Sequence, residues 1–175
     1  MDWYSAVFEL IDMRSFSNLW YWIALAVVWS TTSHWVLGVP WDMVQRAGRH
    51  GGEAERDLED MVRINVNRLF YIAGVSGIWL VALASGLITA LALLGFWYGI
   101  EFAQAVFLLV TPMSFVGLLS LRTANLIRAG ALTGAELRKR MHRHRVQTQF
   151  VGMISVFITA MWGMYQNMSI GVLGG

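Results

Sequence analysis

The sequence predicts an all-α membrane protein with four transmembrane helices, on three observations. Charged residues make up 14% of the chain and hydrophobic residues 57%, whereas a water-soluble domain carries about 25% charged residues. Four stretches (15–41, 69–100, 102–121 and 146–175) contain no Asp, Glu, Lys or Arg. Basic residues instead gather between them, and Arg138, Lys139, Arg140, Arg143 and Arg145 alone are five of the thirteen Lys and Arg. The mean hydropathy of +0.53 fits one polytopic domain over 1–175.

Residues 2–14 read as an amphipathic helix lying in the membrane interface. Trp3, Tyr4, Val7, Phe8, Leu10 and Ile11 recur at broadly helical spacing, and Asp2, Ser5, Glu9 and Asp12 supply a polar side. These acids stand where a signal peptide would be basic, so no signal peptide is expected. The first span is placed at about 18–39, with Trp20, Tyr21 and Trp22 at one interface, Trp35 and Trp41 at the other, and Pro40 closing it. About 20 apolar residues suffice to cross the hydrocarbon core.

From Trp41 to Arg68 the chain is polar, and Gly48, Gly51 and Gly52 interrupt it. A helix is expected to restart near Glu53, where acidic side chains meet the positive end of the macrodipole. Leu58, Met61, Val62, Ile64, Leu69 and Ile72 keep helical spacing, so this helix should run unbroken into a second span at about 69–94. Gly95, Trp97, Tyr98 and Gly99 mark a short turn. The third span, about 102–121, holds Pro112 in its middle, where a kink or shifted hydrogen bonding is expected. Thr133 and Glu136 have the spacing of a capping box, so another helix should begin at about Gly134. It leads to a fourth span at about 149–170.

The first polar connection holds Arg46, Arg49, Arg56, Arg63 and Arg68, and the second holds seven basic residues; the turn at 95–99 holds none. By the positive-inside rule both connections are cytoplasmic and both termini periplasmic, in a bacterial inner membrane. Helices two and four should extend into the cytoplasm. There Glu53, Glu55, Glu59 and Asp60 would face Arg138–Arg145 and form exposed ion pairs worth under about 1 kcal/mol each. The basic residues Arg138, Lys139, Arg140, Arg143 and Arg145 are also candidates for binding partners or anionic lipid. Ala82, Gly86 and Ala90, four apart, allow close helix–helix approach, and Pro112 joins them as a packing residue.

Candidate chemistry is sparse. The absence of cysteine excludes disulfides, thiolate catalysis and cysteine-ligated metal within the chain. His34 is a weak metal candidate, better read as a polar residue at a helix end. His142 and His144, about 200° apart on a helix, cannot share one ion and read as solvated neighbours of the arginines. Glu101 is the one acid beside a span, with Gln104 near it; the aromatic belt before it points to a headgroup-level position. The remaining mid-depth polar residues are hydroxyls. No nucleotide loop, hydrolase elbow, paired carboxylates or metalloprotease helix occurs, and the acidic run argues against nucleic acid. The residues therefore favour a non-enzymatic accessory or scaffold subunit with no cofactor, contacting the bilayer and protein partners or further copies of itself. The alternative is a small transporter subunit or a homo-oligomeric channel.

Two resemblances bear on this reading. Met1-Asp2-Trp3-Tyr4, Trp20-Tyr21-Trp22, the run Ser33-His34-Trp35-Val36-Leu37-Gly38-Val39-Pro40 and Arg63-Ile64-Asn65-Val66-Asn67-Arg68 resemble an alphaproteobacterial family of four-span membrane proteins. That family carries the label "component of SufBCD complex", which implies a link to iron–sulfur assembly and transfers no functional residue. Four spans in so short a chain are also similar to the small membrane subunit of tripartite ATP-independent periplasmic transporters, whose termini are cytoplasmic.

Overall fold

The computed structural model describes residues 15–173, with side-chain surroundings through Met168; the expected interfacial helix at 2–14 lies outside the described residues. A single 3₁₀ turn, Ser15–Ser17, leads into α1, Leu19–His34. The Asn18 side chain caps α1 by accepting from Trp20 N at 3.0 Å. Then follow β1 (Trp35–Val36), β2 (Val39–Pro40), α2 (Trp41–His50), α3 (Gly52–Ala92), a π-helical turn (Leu93–Trp97), α4 (Glu101–Ala129) and α5 (Gly134–Leu173). Three of the helices are long and apolar enough to cross a membrane: Gly52–Trp97, Glu101–Ala129 and Gly134–Met168.

The first apolar stretch departs from expectation. Its helix ends at His34, and residues 35–40 fold into a two-stranded hairpin pairing Trp35 with Pro40 and Val36 with Val39. Leu37 and Gly38, with φ of 53° and 75°, form the tip; two left-handed residues give the twist a two-residue hairpin needs. The left-handed conformation is unfavourable for leucine. Asn65 on α3 holds it by donating Nδ2–H to Gly38 O at 3.2 Å, while Val36 and Val39 are driven into a core.

The helix restarts agree with the sequence. α3 is continuous from Gly52 and α5 from Gly134. α4 likewise passes the end of its apolar segment and reaches Ala129. The cap of α5 is different from the expected Thr133–Glu136 box: the backbone N–H of Gly134 donates to Glu59 Oε1 on α3 at 2.7 Å. A carboxylate there offsets the positive end of the helix dipole.

Two apolar clusters result. At the polar end, Val36, Val39, Val44, Leu58, Val62, Ala124, Leu137 and Met141 join the hairpin, α2, α3, α4 and α5 into one head. In the apolar half a smaller cluster holds Leu25, Trp29 and Val116. α5 is buried along one stripe: Leu137, Met141, His144, Thr148, Gly152, Ser155, Thr159 and Gly163. The steps are four, three, four, four, three, four and four, about 3.7 residues per turn and thus close to a straight helix. The half of this stripe that enters the apolar region consists of small and hydroxyl residues. Trp29 packs against Gly152 and Phe16 against Gly163; a Cβ on either glycine would come within 2.8 Å of the Trp29 ring or 3.2 Å of the Phe16 ring.

The expectation that Ala82, Gly86 and Ala90 pack is not met inside the chain. All three are exposed, and nothing lies within 4 Å of a Cβ built on Gly86. α3 meets its neighbours at its two ends, so no residue from Asn67 to Ala90 is buried. Pro112 sits where α4 meets α5. It has no N–H to give Leu108 O, and Ser155 Oγ–H of α5 donates to that carbonyl at 3.4 Å, so α4 continues through the proline.

Candidate functional site

At the end of the apolar stretch on α4 the chain places Gln104, which is buried and fully engaged. Its Nε2–H donates to Gly95 O at 2.8 Å, and its Oε1 accepts from Trp162 Nε1 at 2.9 Å and Gln166 Nε2 at 2.6 Å. A Cβ on Gly95 would stand 2.9 Å from Gln104 N, so only glycine lets the turn close on α4. Glu101 Oε1 accepts from Phe16 N at 2.7 Å. These residues hold three helix ends together, and the bonds of Gln104 are occupied by the fold.

The polar head distributes the residues singled out by charge. Arg138 is paired with Glu55, both partly buried, and Glu59 caps α5. Asp60 pairs instead with Arg63 on its own helix at 2.9 Å, and Glu53 is exposed. Arg46 and Asp57 add a link between α2 and α3 at 3.4 Å. Arg145 lies 4.4 Å above the Trp41 ring and donates Nε–H to Ser33 O at 3.2 Å. Lys139 and Arg143 are exposed, and Arg140 is half-buried. The basic stretch thus divides into arginines that tie the head together and cations that face outward.

His34 is exposed beside Trp35. His142 is exposed too, its ring 5.8 Å from that of Trp41. Among the described residues no three His, Asp or Glu side chains gather as a metal-holding group.

His144 is the correction. Expected in solvent, it is 3% exposed. Its Nδ1 lies 3.0 Å from Thr123 Oγ1 and its Nε2 lies 3.4 Å from Ser120 Oγ. Ser120 already donates its hydroxyl proton to Val116 O at 2.9 Å, so it accepts from Nε2–H, and Nδ1 accepts from Thr123. This assigns one neutral tautomer, and burial pushes the His144 pKa below the usual histidine value.

Beside His144 opens a cleft of about 340 Å³ between the hairpin and helices α1, α3, α4 and α5, within the size range of small-ligand sites. Asn65, Arg68, Ser120, His144 and Thr148 give it a polar side; Val66, Leu69, Ile72 and Val116 give it an apolar side. Arg68 is its one charged lining residue. In the sequence this site is masked, because Arg68 has the pattern of one more topogenic arginine and His144 that of one more basic neighbour. The signal was the spacing of His144, Thr148, Gly152, Ser155 and Thr159, which puts polar and small residues on one helix face. No family model, curated protein or solved structure matches the chain.

Proposed function

We propose that the protein is a non-enzymatic accessory subunit of a larger assembly in a bacterial inner membrane. It crosses that membrane four times, with the polar head in the cytoplasm and both termini periplasmic. α1 is the fourth span: its 16 residues rise about 24 Å, and it lies uncharged against α5. The orientation rests on the positive-inside bias of the two polar connections. A C-terminal reporter active only in the cytoplasm would overturn it.

The observation that carries the subunit reading is the bare apolar length of α3. From Asn67 to Ala90 it buries no residue, although it holds the most hydrophobic of the three long helices' windows. Lipid covers large apolar side chains without penalty, but a row of small residues on an exposed face favours close approach by another helix. α5 uses that arrangement inside the chain, at Gly152 and Gly163. α3 carries the equivalent row, Ala82, Gly86 and Ala90, and leaves it to a partner.

The chain has no cysteine, so single cysteines report cleanly. In native membranes Gly86→Cys should cross-link to a defined neighbouring chain, whereas Val81→Cys, on another side of α3, should not. A Gly86→Cys chain that cross-links to nothing would end the subunit reading. Self-cross-linking with no other chain retained would favour the rival, a homo-oligomeric channel. Recovery of iron–sulfur assembly proteins as the partner would give the family resemblance a physical basis.

A further inference from the structure

The cleft beside His144 raises a question separate from assembly, because one of its polar atoms is buried and unmet. Thr148 is 2% exposed and its hydroxyl has no hydrogen-bond partner. Five hydroxyls on these helices turn back onto the carbonyl four residues earlier: Thr32 to Val28, Thr89 to Ser85, Ser114 to Val110, Ser120 to Val116 and Thr159 to Ser155, all at 2.7–2.9 Å. Thr148 lies on a continuous helix and makes no such bond to His144, while lining the cleft. His144 cannot serve as its partner, since Thr123 and Ser120 occupy both ring nitrogens.

Arg68, exposed at the edge of the cleft, is the second group without a partner. It makes no hydrogen bond or ion pair among the described residues, and no carboxylate lines the cleft to neutralise it. It is also the last charged residue before the charge-free run 69–100, which sets it at the depth of lipid headgroups. One unpaired guanidinium and one unmet hydroxyl suit an anion rich in acceptor oxygens.

We propose that this cleft binds the phosphate-bearing head of an anionic membrane lipid. Arg68 pairs with the phosphate, the Thr148 hydroxyl donates to one of its oxygens, and Leu69, Ile72 and Val116 lie along the acyl chains. A free phosphate would satisfy the polar side and leave the apolar side open. Among the described residues the other buried helix hydroxyl without a partner, Thr111, borders a groove that no cation lines, so the pairing of buried hydroxyl and guanidinium is particular to this cleft.

The test uses the full chain, delipidated in mild detergent. Native mass spectrometry and thermal melts are recorded with phosphatidylglycerol, with phosphatidylcholine of the same chains, and with inorganic phosphate. Phosphatidylglycerol should be retained and raise Tm; phosphatidylcholine, whose choline sets a second cation beside Arg68 with no carboxylate in the cleft to meet it, should bind at least tenfold more weakly; and millimolar phosphate should not displace the bound lipid. Arg68→Gln should lose about tenfold in phosphatidylglycerol occupancy; Arg122→Gln, at an exposed arginine outside the cleft, should lose none. Thr148→Val keeps the side-chain size and gives a second reading if Arg68→Gln fails to fold. Lipid-free it should melt at or above the wild type, and with phosphatidylglycerol it should gain less. Equal retention of the two lipids, an unchanged Arg68→Gln, or displacement by phosphate alone would each overturn the proposal.

Discussion

At the polar end, five elements converge on Leu58, Val62, Leu137 and Met141, each at most 1% exposed. In the apolar half, α1 touches α5 at Gly152, the 3₁₀ turn before it touches α5 at Gly163, and α3 stands with its long flank open. The head is packed as a water-soluble core is, because water drives apolar side chains together there. Lipid supplies no such drive between helices, so contact in the apolar half depends on small residues and hydrogen bonds. Where α3 lacks a facing helix with matching shape, nothing pulls it inward.

The largest effect that would test this contrast is loss of a head side chain. Leu58→Ala removes a fully buried group and should cost about 2–5 kcal/mol. Leu83→Ala, at a residue 71% exposed on α3, should stay within about 0.5 kcal/mol. Denaturant unfolding in detergent measures both, and equal losses would mean that α3 is covered within the chain. Next comes close approach in the apolar half. Gly152→Val should cost about 1–3 kcal/mol because the Trp29 ring cannot retreat freely, whereas Gly86→Val should leave the isolated chain unaffected in the same assay.

A third prediction concerns pH. Burial holds His144 below its ordinary pKa of 6.5, so the unfolded chain binds its proton more readily. His144 therefore lends full stability above that value and loses it as pH falls below it, by at most about 1.4 kcal/mol per unit. Melting curves from pH 8 to pH 5 should show this loss, and His144→Gln should flatten it. The smallest effect is at the junction of α3 and α5. Glu59→Ala removes the carboxylate cap of Gly134 and should cost about 1 kcal/mol. Amide exchange in the first turn of α5 should rise with it, while Thr133→Ala leaves that exchange unchanged.

Much of the element order was legible. Charge-free runs located the apolar segments, Glu53 and Gly134 marked helix starts, and Gly95–Gly99 marked the turn. The hairpin at 35–40 was not, because Trp35, Val36, Leu37 and Val39 are apolar whether they continue a span or fold back. Leu37 adopts a conformation that leucine avoids on its own, in a tip held by Asn65, which bonds Gly38 O from twenty-seven residues further on. The candidate site was hidden for a similar reason. Arg68 and His144 each sit among other basic residues, and only the approach of α3 to α4 and α5 sets them around one cleft.

The sequence by itself determined where the chain is apolar, where its helices begin and which connections are basic, since transfer energies, caps and local charge act residue by residue. Tertiary structure alone decided that Glu59 rather than Thr133 caps α5, that His144 is buried while His142 is not, and that Gly152 meets a partner while Gly86 does not. Those outcomes depend on the shape and hydrogen bonds of the facing helix, which spacing along one helix does not specify.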